Sequence, residues 1–290
     1  MSTNDRPTPG PPGTPATQVV LLGTGTPVAD PARSGPATAV VVGDVAYLVD
    51  LGPGVVRRAA AAHARGVTAL APERLTRAFV THLHSDHTAG YADLILTPWT
   101  NGRTETLTVY GPAGLRAMTA HLLAAYATDI AVRRVAEPDA HAGVAVNAVE
   151  VGPGLAYRDK LVEVTAFPVE HGSWAQAFGY RFQTADRTVV ISGDTRPSET
   201  LVEHSRGCDV LVHEVYSTAG FQQQPPGWQA YHSAFHTSAA ELAELASRIR
   251  PGLLVLHHQL FWGTTEDELL AEVRSRYDGP VLCGADLDVI

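Results

Sequence analysis

The sequence predicts an α/β protein of one domain, in which two internal sheets are covered by helices on their outer faces. Two observations support this prediction. Short apolar runs typical of strands alternate with helical segments along the chain, and no linker separates its two halves. Several of these runs end in histidine, aspartate or glutamate, as in parallel-sheet proteins that carry their sites at the carboxyl ends of strands.

The elements follow in chain order. Residues 1–18 are rich in proline, glycine and threonine, so we expect a disordered tail before a folded domain at residues 19–290. Each predicted strand is a short apolar run with turn residues at its ends. These strands are 19–22, 38–42, 45–49, 78–80, 107–110, 144–149 and 161–167. Helices are expected at 55–65, along the apolar stripe from Leu115 to Tyr126, and from a capping box at Ser238 to Pro251.

Composition limits the classes of function. A hydrophobic content of 45% suits a globular protein, and a net charge of -9 gives no general attraction to nucleic acid. The two cysteines, Cys208 and Cys283, are too few for a disulfide framework. The sequence contains no apolar stretch of membrane-spanning length and no signal-peptide pattern, so we expect no membrane partner and a cytoplasmic location.

The stretch from Thr81 to His87 has the pattern H-x-H-x-D-H directly after the apolar run 78–80. In an extended segment His82 and His84 point to the same side, because strand side chains alternate. Asp86 and His87 lie where the chain bends and can face a second point. Imidazole and carboxylate groups at this spacing suit a borderline ion such as zinc.

Four later apolar runs also end in candidate ligands. The residues at these ends are Glu170 and His171, Asp194, His213 and Glu214, and His257 and His258. If the last strand alternates to its end, only one of its two histidines faces the site. We therefore expect a metal site built from the ends of several strands.

These motifs resemble the metallo-β-lactamase superfamily, and most closely its ribonuclease Z and arylsulfatase-like branch. The resemblance runs from about residue 19 to residue 290, through segments 22–25, 49–54, 82–87, 171, 178–180, 192–195, 213–214, 236–239 and 256–258. It implies a four-layer αββα sandwich with two zinc ions between the sheets, with manganese or iron as alternatives. The implied ligands are His82, His84 and His171 for the first ion, Asp86, His87 and His258 for the second, and Asp194 as the bridge.

The resemblance also implies catalytic roles. A hydroxide between the metals would attack the substrate, with Asp86 counted among the catalytic residues as well as the ligands. His236 would give a proton to the leaving oxygen, and His213 and Glu214 would orient it. The alternative for His236 is a polar cap beside the helix that begins at Ser238.

The preferred function is hydrolysis of a small phosphodiester or sulfate ester. A tRNA 3′-processing endonuclease of the ribonuclease Z type is the alternative, and a lactone or thioester hydrolase or a non-catalytic metal-binding protein is a further one. The acidic charge and the lack of a basic arm between Pro138 and Tyr180 disfavour nucleic acid as a partner without excluding it. The segment 221–228 is either a surface loop or a lid. If the segment is a lid, its aromatic side chains would form an apolar wall together with Trp174 and Trp262. The sequence leaves open whether the chain forms a homodimer.

Overall fold

The computed structural model describes residues 16–136 and 143–290. The strands within these ranges are Thr17–Gly23 (β1), Ala37–Val42 (β2), Val45–Val49 (β3), Arg77–Phe79 (β4), Leu107–Gly111 (β5), Val146–Glu150 (β6), Gly154–Arg158 (β7), Glu163–Pro168 (β8), Phe178–Gln183 (β9), Thr188–Ile191 (β10), Val210–Tyr216 (β11), Leu253–Leu260 (β12) and Val281–Cys283 (β13). The helices are Val55–Ala64 (α1), Ser85–Thr88 (α2), Tyr91–Thr100 (α3), Leu115–Ala125 (α4), Ala127–Ala136 (α5), Glu199–Ser205 (α6), Thr218–Gln222 (α7), Pro226–Phe235 (α8), Ala239–Ile249 (α9) and Glu266–Arg274 (α10). Two short 3-10 turns, Thr68–Leu70 and Pro72–Arg74, precede β4.

The strands form two sheets of similar construction. One has the order β1-β2-β3-β4-β5-β6 and the other β13-β12-β11-β10-β9-β8-β7. In each sheet one part is antiparallel, from β1 to β3 and from β7 to β10. The remaining strands pair in parallel, so their carboxyl ends meet at one edge of each sheet.

Alternation along the strands produces three apolar layers. In β1, Val19 and Leu21 pack between the two sheets, whereas Val20 and Leu22 pack under α1 and α3. A third layer joins the outer face of the second sheet to α6, α9 and α10. Layers of helix, sheet, sheet and helix follow from this pattern, and the predicted αββα sandwich is confirmed.

The structure differs from the predicted elements at several points, and three of them bear on the bounds of the domain, its edge and its site. β1 begins at Thr17, two residues before the predicted start of the domain, because Thr17 already pairs with Val42 of β2. Thr17 also donates to the carboxylate of Asp186. The rest of the predicted tail, residues 1–15, lies outside the described residues. β7 is not predicted because it is an edge strand without a buried side chain. The segment 221–228 is not an irregular loop, since it spans the end of α7 and the start of α8.

Glycines allow the backbone to pass close to itself beside the strand ends. A Cβ at Gly23 would lie 2.0 Å from the carbonyl oxygen of Gly35, and one at Gly52 would lie 2.3 Å from the carbonyl carbon of Gly35. Only glycine fits such crossings. No helix among the described residues is long and apolar enough to cross a membrane.

Candidate metal centre

The loop after β4 changes direction between its two pairs of polar residues. His84 has extended backbone dihedrals, and helix α2 begins at the next residue. His82 and His84 therefore project from an extended segment, whereas Asp86 and His87 project from the first helical turn. His82 and His87 are buried and His84 is half-buried, so the loop points inward rather than into solvent.

The first pair of histidines meets His171, which follows β8. The Nδ1 atom of His84 lies 2.9 Å from Nε2 of His82 and 3.1 Å from Nε2 of His171. The Oδ2 atom of Asp194 lies 3.9 Å from the same nitrogen of His82. Nitrogens held about 2.0–2.1 Å from a tetrahedral zinc ion would lie about 3.3 Å apart, so the spacing suits one ion.

A second group forms beside the first. The Nε2 atom of His87 lies 3.3 Å from Asp194 and 3.5 Å from Asp86. The Nε2 atom of His258 lies 3.2 Å from Asp86 and 3.5 Å from Asp194. The Oδ2 atom of Asp194 thus approaches both groups. Three sets of residues have their ligand atoms within 4.8 Å of one another: His82, His84, His171 and Asp194; Asp86, His87 and His258; and Asp194, His236 and His258.

The other nitrogen of several rings is held by the protein. Nδ1 of His171 donates to the carbonyl oxygen of Phe235 at 2.8 Å, and Nδ1 of His87 donates to Asp50 at 2.9 Å. Nδ1 of His82 lies 3.0 Å from the hydroxyl of Thr81, which donates to Asp50. Such contacts orient imidazole rings towards a metal ion.

Sequence reasoning gave no role to Asp50. Its carboxylate is 5% exposed and also accepts the backbone N–H of Thr81 at 2.8 Å. The signal was available, because Asp50 directly follows the apolar run of β3 and precedes a turn of glycines. It thereby repeats the strand-end pattern of the other candidate residues.

The electrostatics of the cluster favour a cation. Three buried carboxylates, Asp50, Asp86 and Asp194, lie here, and no lysine or arginine of the described residues forms an ion pair with them. Burial opposes ionisation of Asp194, but His258 and His87 hold its pKa well below the usual range. Burial lowers the pKa of His82 well below 6.5, so its ring is neutral and keeps a lone pair. The buried Nε2 atom of His87 faces the carboxylates of Asp86 and Asp194, at 3.5 and 3.3 Å, where a bound ion would replace its proton.

His84 has a different contact from the other rings. The indole N–H of Trp174 donates to Nε2 of His84 at 2.9 Å, so in this arrangement the ring proton lies on Nδ1. A neutral ring that bound an ion at Nδ1 would carry its proton on Nε2, and Trp174 could then no longer donate to that atom. Trp174 therefore packs against the cluster instead of lining an open wall.

A β-bulge decides the orientation of the two histidines at the end of β12. Glu214 pairs with His257 and Val215 pairs with Gln259, so His258 is the extra residue, with φ of 45°. His257 turns towards β1, where its Nε2 lies 2.8 Å from the carbonyl oxygen of Gly23. His258 turns into the cluster. Strict alternation of side chains along a strand could not show which of the two histidines faces the cluster.

His236 and Glu214 lie together at the edge of the cluster. Nδ1 of His236 is 3.4 Å from Oε1 of Glu214 and 3.9 Å from Asp194. Burial lowers the pKa of His236 to about 4 and raises the pKa of Glu214 well above its usual range. Both shifts favour the uncharged form of the group concerned.

His213 is not brought to His236. Along β11 Glu214 shares the inner face with Val212, so His213 lies on the opposite face. Nδ1 of His213 donates to the carbonyl oxygen of Glu214 at 2.6 Å. Its contact with Glu214 is thus with the backbone and not with the carboxylate that faces His236.

A cavity of about 480 Å³ opens onto the cluster. Trp228 and Trp262 line it, as expected for an apolar wall, together with Tyr231 and His232, which sequence reasoning did not single out. Phe221 instead stacks on Tyr216 at 4.9 Å, behind Trp262.

Comparisons with known proteins agree with this geometry. A family model described as a β-lactamase superfamily domain matches residues 46–259. A ribonuclease Z of Mycobacterium sp. (strain KMS) is 38% identical over 245 residues, which cover 84% of this chain and 84% of the relative. The chain belongs to the ribonuclease Z branch of the metallo-β-lactamase superfamily. A ribonuclease Z of Mycobacterium bovis (strain BCG / Pasteur 1173P2) is 33% identical over 275 residues, which cover 93% and 96% of the two chains.

Solved structures of this superfamily share the fold. The metallo-β-lactamase fold protein YhfI of Bacillus subtilis has a TM-score of 0.71 at 19% identity, covering 95% of this chain and 99% of its own. The short form of human tRNase Z has a TM-score of 0.67 at 21% identity, covering 94% and 98%.

Membership of the ribonuclease Z branch corrects the preference for a small phosphodiester or sulfate ester. That preference was wrong, because the similar chains are named ribonuclease Z over most of their length. Residues 143–180 do contain only the strands β6 to β8, the start of β9 and their turns, without a long arm. The error lay in reading substrate class from a net charge, which averages over the whole surface and says little about one face.

Proposed function

We propose that the chain is a ribonuclease Z-type endonuclease that cuts precursor tRNA on its 3′ side with the help of two divalent metal ions, zinc in the first instance. The observation that carries the proposal is the likeness to proteins named ribonuclease Z over more than four fifths of the chain. The buried cluster of histidines and aspartates supports a hydrolytic mechanism.

The cluster has ligand sets for two ions. His82, His84 and His171 would hold one, and Asp86, His87 and His258 would hold the other. The single carboxylate between these groups is Asp194, which supports a bridging role because a carboxylate offers two oxygens. Ions bound there supply Lewis acidity at the scissile phosphate and a source of hydroxide near neutral pH.

His236 and Glu214 have a geometry suited to proton transfer. Nδ1 of His236 faces Glu214, and His236 also lines the cavity. As His236 gives a proton from Nε2 to the leaving oxygen, its Nδ1 can recover one from Glu214. Oε1 of Glu214 accepts the backbone N–H groups of Thr195 and Thr237, at 3.2 and 2.9 Å, so the carboxyl group is held beside His236 and its proton would lie on Oε2.

Cleavage of precursor tRNA tests the proposal. A 5′-labelled precursor incubated with the zinc-loaded chain should give one product that ends at the 3′ processing site. Asp194→Ala should abolish the product, whereas His63→Ala, on the exposed face of α1, should leave it unchanged. Random degradation, or equal cleavage by Asp194→Ala, would show that the chain is not this endonuclease.

A further inference from the structure

The mouth of the 480 Å³ cavity carries exposed apolar side chains that neither the ion cluster nor the proton transfer uses. On α8, Trp228 is 55% exposed and Tyr231 is 38% exposed. Val28, between β1 and β2, is 67% exposed and lines the same cavity. Large apolar side chains that are exposed together at one opening indicate a binding surface.

The rings of α8 form a series that leads from this mouth to the cluster. Trp228 stacks on His232 with ring centroids 5.6 Å apart and an interplanar angle of 24°. His232 lies 5.6 Å from His236, which lies 5.7 Å from His258. Residues 228, 232 and 236 are four apart, so one face of the end of the helix presents all three rings. His232 covers one side of the indole. Two successive ring contacts, Trp228 to His232 and His232 to His236, connect the indole to His236.

We propose that α8 is a stacking platform for an unpaired base of the RNA substrate, with Trp228 and Tyr231 as its contacts. The inference rests on the proposed endonuclease function. Because His236 serves the leaving oxygen, the stacked base belongs to the nucleotide that carries this oxygen or to its neighbour on that side of the cut. The platform thus fixes the point at which the RNA strand enters the site.

An unpaired base fits the chemistry of this surface. Its flat face stacks on an indole or a phenol, and its edge needs hydrogen-bond partners. The side-chain amide of Gln224 offers a donor and an acceptor to that edge. Gln224 lines the same cavity. A volume of about 480 Å³ is within the range of small-ligand sites and is too small for a duplex, so single nucleotides enter.

Three substitutions of one residue separate ring stacking from simple apolar contact. Trp228→Ala removes the ring, Trp228→Leu restores apolar bulk without a π face, and Trp228→Phe keeps a smaller ring. Tyr126→Ala is the matched control, since Tyr126 is 42% exposed at the end of α4. Metal content and thermal melting of each variant show whether the fold and the cluster are intact.

We expect Trp228→Ala and Trp228→Leu to raise KM for precursor tRNA about 5- to 150-fold with a smaller change in kcat. Trp228→Phe should recover most of the loss, and Tyr126→Ala should behave as the wild type. An abasic nucleotide on the leaving side of the cut should slow the wild type. The same lesion should add little to the defect of Trp228→Ala, since both remove one contact.

Binding of a labelled single-stranded RNA to the wild-type chain and its variants, followed by anisotropy, distinguishes the two proposals. If the wild type binds RNA through Trp228 but cuts no precursor tRNA, the platform stands and the endonuclease proposal fails. If the wild type cuts correctly and all Trp228 variants keep KM within about twofold, or if Trp228→Leu matches the wild type, the platform is overturned and the endonuclease proposal stands. A chain that neither binds nor cuts RNA contradicts both.

Discussion

Asp50 offers the sharpest test of how the cluster is organised. Its Oδ2 accepts the Nδ1–H of His87 at 2.9 Å, and its Oδ1 accepts the backbone N–H of Thr81 at 2.8 Å. Asp50→Asn keeps the size of the side chain and tolerates the positive φ of 62° as well as aspartate does. The amide oxygen can keep the bond to Thr81. Its NH₂ group then faces the Nδ1–H of His87, so two donors oppose each other.

The expected loss follows from that one contact. A hydrogen bond to a charged group contributes about 1.5–3 kcal/mol, and the carboxylate also holds His87 with Nε2 free for an ion. We therefore expect the metal affinity of the site that contains His87 to fall about 10- to 100-fold. Losses below this range would mean that ring packing alone orients His87.

Zinc competition against a chromogenic chelator measures the change. The metal-free Asp50→Asn chain should keep its secondary structure, because the substitution retains volume and the bond to Thr81. Asp44→Asn, in the exposed turn between β2 and β3, is the control for loss of one carboxylate and should bind metal as the wild type does. Unchanged affinity of Asp50→Asn at every site would refute the role of Asp50.

Three further substitutions test other parts of the structure. Asp194→Ala should lose at least one metal ion by elemental analysis and most activity, since Asp194 approaches both ligand groups; retention of two ions and full activity would contradict the bridging role. His236→Ala should keep its metals yet lose about 10²–10⁴ in cleavage rate, and loss of metal would reassign His236 to the ligands. Arg103 is 1% exposed and donates to four backbone carbonyls, so Arg103→Met should lower the free energy of unfolding by about 3–5 kcal/mol in urea titration. Arg276→Met, at an exposed ion pair with Glu244, should cost less than about 1 kcal/mol, and equal costs would contradict the burial argument.

The sequence by itself determined the layers and the position of the metal loop. Apolar alternation specifies which face of β1 packs on the other sheet, and this pattern is local. The spacing of His82, His84, Asp86 and His87 is also local, because a strand end and one helical turn position all four. Fold and metal loop were therefore predictable without long-range information.

Only the tertiary structure decided contacts between residues distant in the chain. The bulge that turns His258 inward depends on the register of β12 against β11, and Asp50 reaches His87 only because β3 and β4 pair in parallel. The outward face of His213 likewise follows from which side of β11 meets the other sheet. Sequence periodicity does not show the register in which two strands pair. A register shift of one residue exchanges the two faces of a strand, and only the partner strands define the register.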